Sequence, residues 1–283
     1  MLVRIRFMVP VHAPKRKAAL HGLESKPWGF IAGGRMKFGM DLWRAKGYGG
    51  RRMLDSLRQE VFEANLELVR RGLAIYTFGN ASGCDRERGL VVIKPSGVAY
   101  DQLTAADLVI TDFEGRVVQG GMRPSSDLPT HLVLYRAYPA IAGVAHTHSS
   151  FATAWAQAGR SIPCLGTTHA DYFNGDIPVT DPMTEEEIKG DYEANTGQAI
   201  VRRFAGLDPL DMPSVLVYGH GPFSWGASAS AAARAAAMLE EVARIACHTV
   251  LLNPEVNPLS AALLAKHFNR KHGPGAYYGQ KPV

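Results

Sequence analysis

Three histidines in this 283-residue chain are spaced for metal chemistry. His146 and His148 follow Ile141 and the apolar run Gly143-Val144-Ala145, which reads as a strand. Side chains two apart on a strand share a face, so both imidazoles can meet one ion. Neutral imidazole suits zinc and its first-row neighbours, and a catalytic zinc usually takes three protein ligands and leaves a position open. The third ligand is expected at His220. It stands between Gly219 and Gly221 at the end of the strand Val215-Leu216-Val217-Tyr218, where the backbone is free to present a ring. A His-x-His pair alone reads more readily as two hydrogen-bonded strand histidines, so the neighbouring loops carry the metal reading.

Two of those loops suit a phosphate. The first, Gly79-Asn80-Ala81-Ser82-Gly83, follows a strand expected over Leu73–Phe78 and offers backbone N–H groups and the Asn80 amide. The second, Lys94-Pro95-Ser96-Gly97, follows a strand expected from Gly89 to Ile93 and offers a point charge, a hydroxyl and open backbone. It is not a nucleotide P-loop, because the first glycine and its spacing are missing. Either loop alone reads as an ordinary turn; as a pair they favour an anion. Ser125-Ser126-Asp127 then precedes Pro129 and an apolar helix through Leu132, Leu134 and Tyr135. Asp127 reads either as a plain helix cap or as a carboxylate beside an incoming ligand.

Composition narrows the function class. The formal net charge is +5, but residues 1–52 hold 12 Lys+Arg against 2 acidic residues, leaving 19 Lys+Arg against 24 Asp+Glu in residues 53–283. The basic character belongs to the front end and gives no reason to expect a nucleic-acid partner for the rest. Three widely spaced cysteines argue against a disulfide framework and fit a reducing cytoplasm. No apolar run approaches a membrane span, so no membrane partner is expected. Residues 1–52 lack a helical or strand period and a secretory cleavage pattern. They read as a basic, disordered arm or as upstream sequence from too early a start, and are expected to be dispensable.

The elements that must position the site begin at Met53, where Leu54, Leu57, Val61, Leu66, Leu68 and Val69 form a helical stripe ending at Gly72. Thr104–Asp107 reads as a capping turn before a strand at Leu108–Thr111 and a hairpin arm near Val117–Val118. Helices are expected over Phe151–Ala158, over Met183–Phe204 with acidic residues first and Arg202-Arg203 last, and over Ala227–Leu252. In the last, Met238, Leu239, Val242 and Ile245 should face the core. Strands and helices alternate with no linker, giving one α/β domain over residues 53–283.

Residues 53–280 resemble the class II aldolase/epimerase superfamily, and within it the L-ribulose-5-phosphate 4-epimerases. The motifs are TFGNAS at 77–82, IKPSGV at 93–98, PSSDLPTH at 124–131, AHTHS at 145–149, TTHADYF at 167–173, GHGPFSWG at 219–226 and RKHGPGAYYGQ at 270–280. The resemblance implies a central, mainly antiparallel sheet with helices on both faces. It implies zinc on His146, His148 and His220, and a phosphate site at Asn80, Lys94, Ser96, Gly97, Ser125 and Ser126. It makes Asp127 an acid–base carboxylate beside the metal, Asp171 a second acid–base group and Tyr278 a catalytic phenol from the neighbouring subunit of a cyclic homotetramer. His267 and Arg270 match residues near the substrate.

The implied reaction is C4 epimerisation of L-ribulose 5-phosphate to D-xylulose 5-phosphate. The C3–C4 bond breaks in a retro-aldol step into the enediolate of dihydroxyacetone and glycolaldehyde phosphate, and the aldehyde turns and is recaptured. Two acid–base groups on opposite faces are needed, and Asp171 and Tyr278 are the candidates. The same chemistry serves L-arabinose and L-ascorbate catabolism, and the motifs do not choose between them. The alternatives are a sugar-phosphate aldolase, which carries Glu at the position of Asp127, and a non-catalytic adducin-like domain, which should lack the histidines.

Overall fold

A computed structural model describes residues 49–279. The expectation of a dispensable arm over residues 1–52 lies outside the described residues apart from the start of the first helix, as does the motif's final Gln280.

Among the described residues, seven strands form one antiparallel sheet. In chain order they are β1 (Asn80–Asp85), β2 (Leu90–Ile93), β3 (Val109–Asp112), β4 (Val117–Gln119), β5 (Gly143–His146), β6 (Ser214–Val217) and β7 (Gly221–Gly226). The spatial order is β4-β3-β2-β1-β5-β7-β6, so the strand carrying His146 is interior, paired with β1 on one side and β7 on the other. The helices are α1 (Gly49–Arg70), α2 (Leu128–Ala137), α3 (Ser150–Gln157), α4 (Thr167–Ala170), α5 (Glu185–Lys189), α6 (Tyr192–Arg203), α7 (Ala229–Leu252) and α8 (Ala261–His272).

Apart from the exposed edge strand β4, the sheet is buried on both faces, and its side chains divide between two cores by strand alternation. Val91, Val109 and Val144 pack into one core with Leu134, Tyr135, Trp155, Phe223 and Trp225. Their neighbours Val92, Ile110 and Ala145 pack into the other with Leu54, Val61 and Leu68 of α1 and the alanines that open α7. Helices thus cover both faces, as the resemblance implies.

Several expected elements shift. Leu73–Phe78 is not a strand: Tyr76 has φ 53° and is 81% exposed, with Ile75 and Phe78 also exposed. The strand begins at Asn80, inside the stretch read as a loop, and Asn80 pairs with His146. Its small residues follow from packing, because α1 crosses closely: a Cβ on Gly83 would lie 2.9 Å from both Leu57 and Val61. Tertiary approach overrides β propensity here.

Met183–Phe204 is two helices, not one. The first has a Thr184–Glu187 capping box and ends at Gly190; Asp191 then starts the second. In α7, Leu239 and Val242 are buried as expected, but Ile245 is 39% exposed and leaves the core stripe. α1 begins at Gly49, ahead of Met53, and its Val69 is exposed too. No helix of the described residues is long and apolar enough to cross a membrane.

Candidate active site

His146 closes β5, and its ring lies on Phe223 of β7 with centroids 4.2 Å apart and planes at 17°. Its Nδ1 is 3.0 Å from the Pro222 carbonyl oxygen. A carbonyl only accepts, so Nδ1 carries the proton and Nε2 keeps its lone pair. That Nε2 lies 3.0 Å from Nε2 of His148. Candidate ligand atoms of His146, His148 and His220 all fall within 4.8 Å of one another.

His148 lies two residues past the strand end rather than on the strand. The segment that carries it is pinned on both sides. Thr147 N–H donates to the Pro222 carbonyl at 3.3 Å. Beyond it, Glu240 of α7 accepts the backbone N–H groups of Phe151 and Ala152, each at 2.9 Å, so a carboxylate rather than Ser149 caps α3. His220 occupies the turn between β6 and β7. Gly219 supplies φ +68°, and a Cβ on Gly221 would stand 2.8 Å from the Thr147 carbonyl oxygen. The flanking glycines let this turn press against the segment bearing the other two histidines.

Burial is the main cause that lowers His146 to about 3; Asp127 opposes it, and His220 and His148 add to it. Burial also lowers His148 and His220. Neutral imidazole is the form that binds a metal, so this donor set fits a divalent first-row ion.

Asp127 is not a side-chain helix cap. It precedes α2 with helical dihedrals, and its carboxylate makes no bond to the helix N–H groups. Instead Oδ2 accepts from the Asn80 amide at 2.6 Å and from the Ser125 hydroxyl at 3.4 Å. Burial acts to raise this carboxyl, but His146, His131, the Asn80 hydrogen bond and His220 outweigh it and hold it below the usual range.

Lys94, at the end of β2, is 1% exposed. Its ammonium sits 3.4 Å from the Thr77 carbonyl oxygen and 4.7 Å from the Tyr100 ring centre. Burial lowers it to about 8, with no carboxylate contributing. Two backbone bonds join the Lys94 loop to the serine loop: Ser125 N–H to the Lys94 carbonyl and Ser96 N–H to the Arg123 carbonyl, both 3.0 Å. The histidines, Asp127, Asn80, Lys94, Ser96, Gly97, Ser125 and Ser126 all line one cavity of about 450 Å³.

Four expected site residues lie elsewhere in the chain. Asp171 accepts from His267 Nδ1 at 3.0 Å and from Arg270 through Nε at 2.9 Å and Nη2 at 2.6 Å, with Lys271 at 3.6 Å. Burial acts to raise the Asp171 carboxyl, but Arg270, His267 and Lys271 bring it below the usual range. Tyr278 is 61% exposed, with the Arg270 guanidinium 5.0 Å and the Lys271 ammonium 4.4 Å from its ring centre. None of Asp171, His267, Arg270 and Tyr278 lines the histidine cavity.

Residues 59–247 match the Class II Aldolase and Adducin N-terminal domain family. The chain belongs to that family. It is 56% identical over 228 residues to the L-ribulose-5-phosphate 4-epimerase UlaF of Salmonella paratyphi C (strain RKS4594), covering 81% of this chain and 100% of that relative. Among solved structures, an L-fuculose 1-phosphate aldolase superposes with a TM-score of 0.65 at 26% identity, over 76% of this chain and 95% of the other. The L-fuculose-1-phosphate aldolase of Thermus thermophilus shares the fold at a TM-score of 0.56 and 24% identity, over 71% and 98% of the two chains. The class II aldolase fold therefore carries here a histidine triad able to bind a metal.

This class II aldolase cavity also holds residues that sequence reading missed. Thr77 and Phe78 line it, although that stretch reads as a strand, and the Phe78 ring stacks over His148 with centroids 6.1 Å apart. Tyr192 and Glu193 line it from the start of α6. Gly190 was the available signal for them, since it breaks the helical pattern and aims a new helix start at the histidines.

Proposed function

We propose that this chain is a metal-dependent L-ribulose-5-phosphate 4-epimerase that forms D-xylulose 5-phosphate. The observation that carries the reading is identity of 56% over the full length of an epimerase relative. The histidine triad, Asp127 and a buried lysine in one cavity supply groups that the reaction needs. Zinc is the proposed ion on His146, His148 and His220. Such an ion supplies Lewis acidity toward the ketone and hydroxyl oxygens.

The chain's own residues do the rest. Lys94, which has no carboxylate partner among the described residues, offers the sugar phosphate a cation, and Asn80, Ser96, Gly97, Ser125 and Ser126 offer it amide, hydroxyl and backbone donors. Asp127, anionic and fixed by Asn80, is the acid–base carboxylate on the metal side. Asp171 and Tyr278 are the acid–base pair for the two faces of the aldehyde. One takes the C4 hydroxyl proton as the C3–C4 electron pair moves toward the ketone, and the other returns a proton after the aldehyde has turned.

Asp171 and Tyr278 reach the histidine cavity of a neighbouring subunit, in a homotetramer working in the cytoplasm. Arg270 supports this reading, because it joins Asp171 to Tyr278 away from the cavity of its own chain, so the two must travel together. His267 and Arg270 are then contributed across the same interface. Subunit mixing checks it: Asp127→Asn and Tyr278→Phe homotetramers should each be nearly inactive, and mixed assemblies should recover activity. No recovery in verified mixed tetramers would place both residues on one subunit's site.

Residues 53–283 are proposed as the catalytic unit. The reaction is tested by following L-ribulose 5-phosphate by NMR. D-xylulose 5-phosphate should appear without free dihydroxyacetone or glycolaldehyde phosphate, whereas their accumulation would make the chain an aldolase.

A further inference from the structure

We propose that Tyr192 is a positioning residue for His220, fixing the tautomer and ring orientation in which that histidine can bind a metal. The inference rests on the reading of the histidine triad as a metal site.

His146 and His220 differ in what meets Nδ1 of the ring. On His146 it is a backbone carbonyl, 3.0 Å from Nδ1. On His220 it is the phenol of Tyr192, 3.3 Å from Nδ1, and the same tyrosine ring stacks on the imidazole with planes at 25° and centroids 6.2 Å apart. A carbonyl imposes one tautomer, whereas a phenol can either accept or donate. An ion on Nε2 requires the proton on Nδ1, and the phenol oxygen must then accept it. That bond orients the ring and raises the basicity of the ligating nitrogen.

The backbone that carries the phenol is itself held in place. Tyr192 opens α6, where its N–H donates to the Gly190 carbonyl at 3.1 Å and its carbonyl accepts from the Thr196 hydroxyl at 2.9 Å. The side chain of Asn195 donates to the Glu187 carbonyl at 2.9 Å, joining α6 to α5. The Thr130 hydroxyl donates to the Glu193 carbonyl at 2.6 Å, joining α6 to the helix that follows Asp127. The break at Gly190 thus places the phenol beside a histidine that stands on a glycine-flanked turn.

The test is zinc affinity, measured by competition with a zinc-binding dye on the metal-free full chain, for wild type, Tyr192→Phe and His220→Ala. Phenylalanine keeps the stacked ring and removes the acceptor. Tyr192→Phe should weaken zinc binding by about 10- to 100-fold, with the melting temperature of the metal-free protein unchanged, and His220→Ala should weaken it further. Wild-type affinity in Tyr192→Phe beside a loss in His220→Ala would overturn the inference and leave the metal site standing. Wild-type affinity in both variants would instead overturn the triad reading. A lower melting temperature of metal-free Tyr192→Phe would make the tyrosine a general structural residue and also overturn the inference.

Discussion

Replacing Asp127 with asparagine should lower kcat by about a hundredfold to ten thousandfold, the range expected when a positioned acid–base group is removed. The substitution is close to isosteric, and the asparagine oxygen can still accept the Asn80 amide that now lies 2.6 Å from Oδ2. Metal content and melting temperature should therefore change little. The charge is what disappears. In the wild-type site burial acts against the anion, but His146, His131, Asn80 and His220 hold the carboxyl below its usual range, so it is ionised at neutral pH. Steady-state kinetics with parallel metal analysis check this. An Asp127→Asn enzyme with full metal content and wild-type kcat would remove Asp127 from the chemistry.

The second large effect concerns Lys94, for which function and stability should move in opposite directions. Its pKa is lowered by burial from 10.5 to about 8. The unfolded chain therefore holds that proton more tightly than the folded one, and the charged lysine costs the fold stability below pH 8. This cost is relieved as pH rises from about 8 toward 10.5. A phosphate would supply the missing anion. Lys94→Met should raise KM for the phosphorylated substrate about a hundredfold, in line with losing a buried charge-assisted contact. The same variant should melt at a higher temperature than wild type at pH 7. In the wild type, KM should increase as pH rises through about 8, because the free site loses its cation there. An unchanged KM in Lys94→Met would separate this lysine from the substrate. A KM flat through pH 9 would mean that the free site keeps its charge.

The sequence made the cavity largely legible because its groups lie on short motifs. The His-x-His pair, the glycine-flanked His220 and the Lys94 and serine loops are compact patterns whose chemistry needs few assumptions about distant contacts. What stayed hidden depended on packing between distant segments. Asn80–Gly83 looks like a loop in sequence, and it is a strand because α1 needs small residues beneath Leu57 and Val61. β7 contains two glycines and a proline, poor strand formers, yet it pairs along both edges because β5 and β6 lie beside it. Tyr192 and Glu193 fell inside what read as one long helix, and only the break at Gly190 turns them toward the histidines. Asp171 and Tyr278 were recognisable from their motifs, but their pairing through Arg270 comes from the docking of α8 against α4.

The most direct test is formation of D-xylulose 5-phosphate from L-ribulose 5-phosphate, coupled to a xylulose-phosphate-consuming enzyme, before and after removal of metal with a chelator. The account predicts activity that is lost on chelation, returns on adding zinc after the chelator is removed, and is absent from the His146→Ala variant. Epimerisation that persists in metal-free protein, or in His146→Ala, would contradict it.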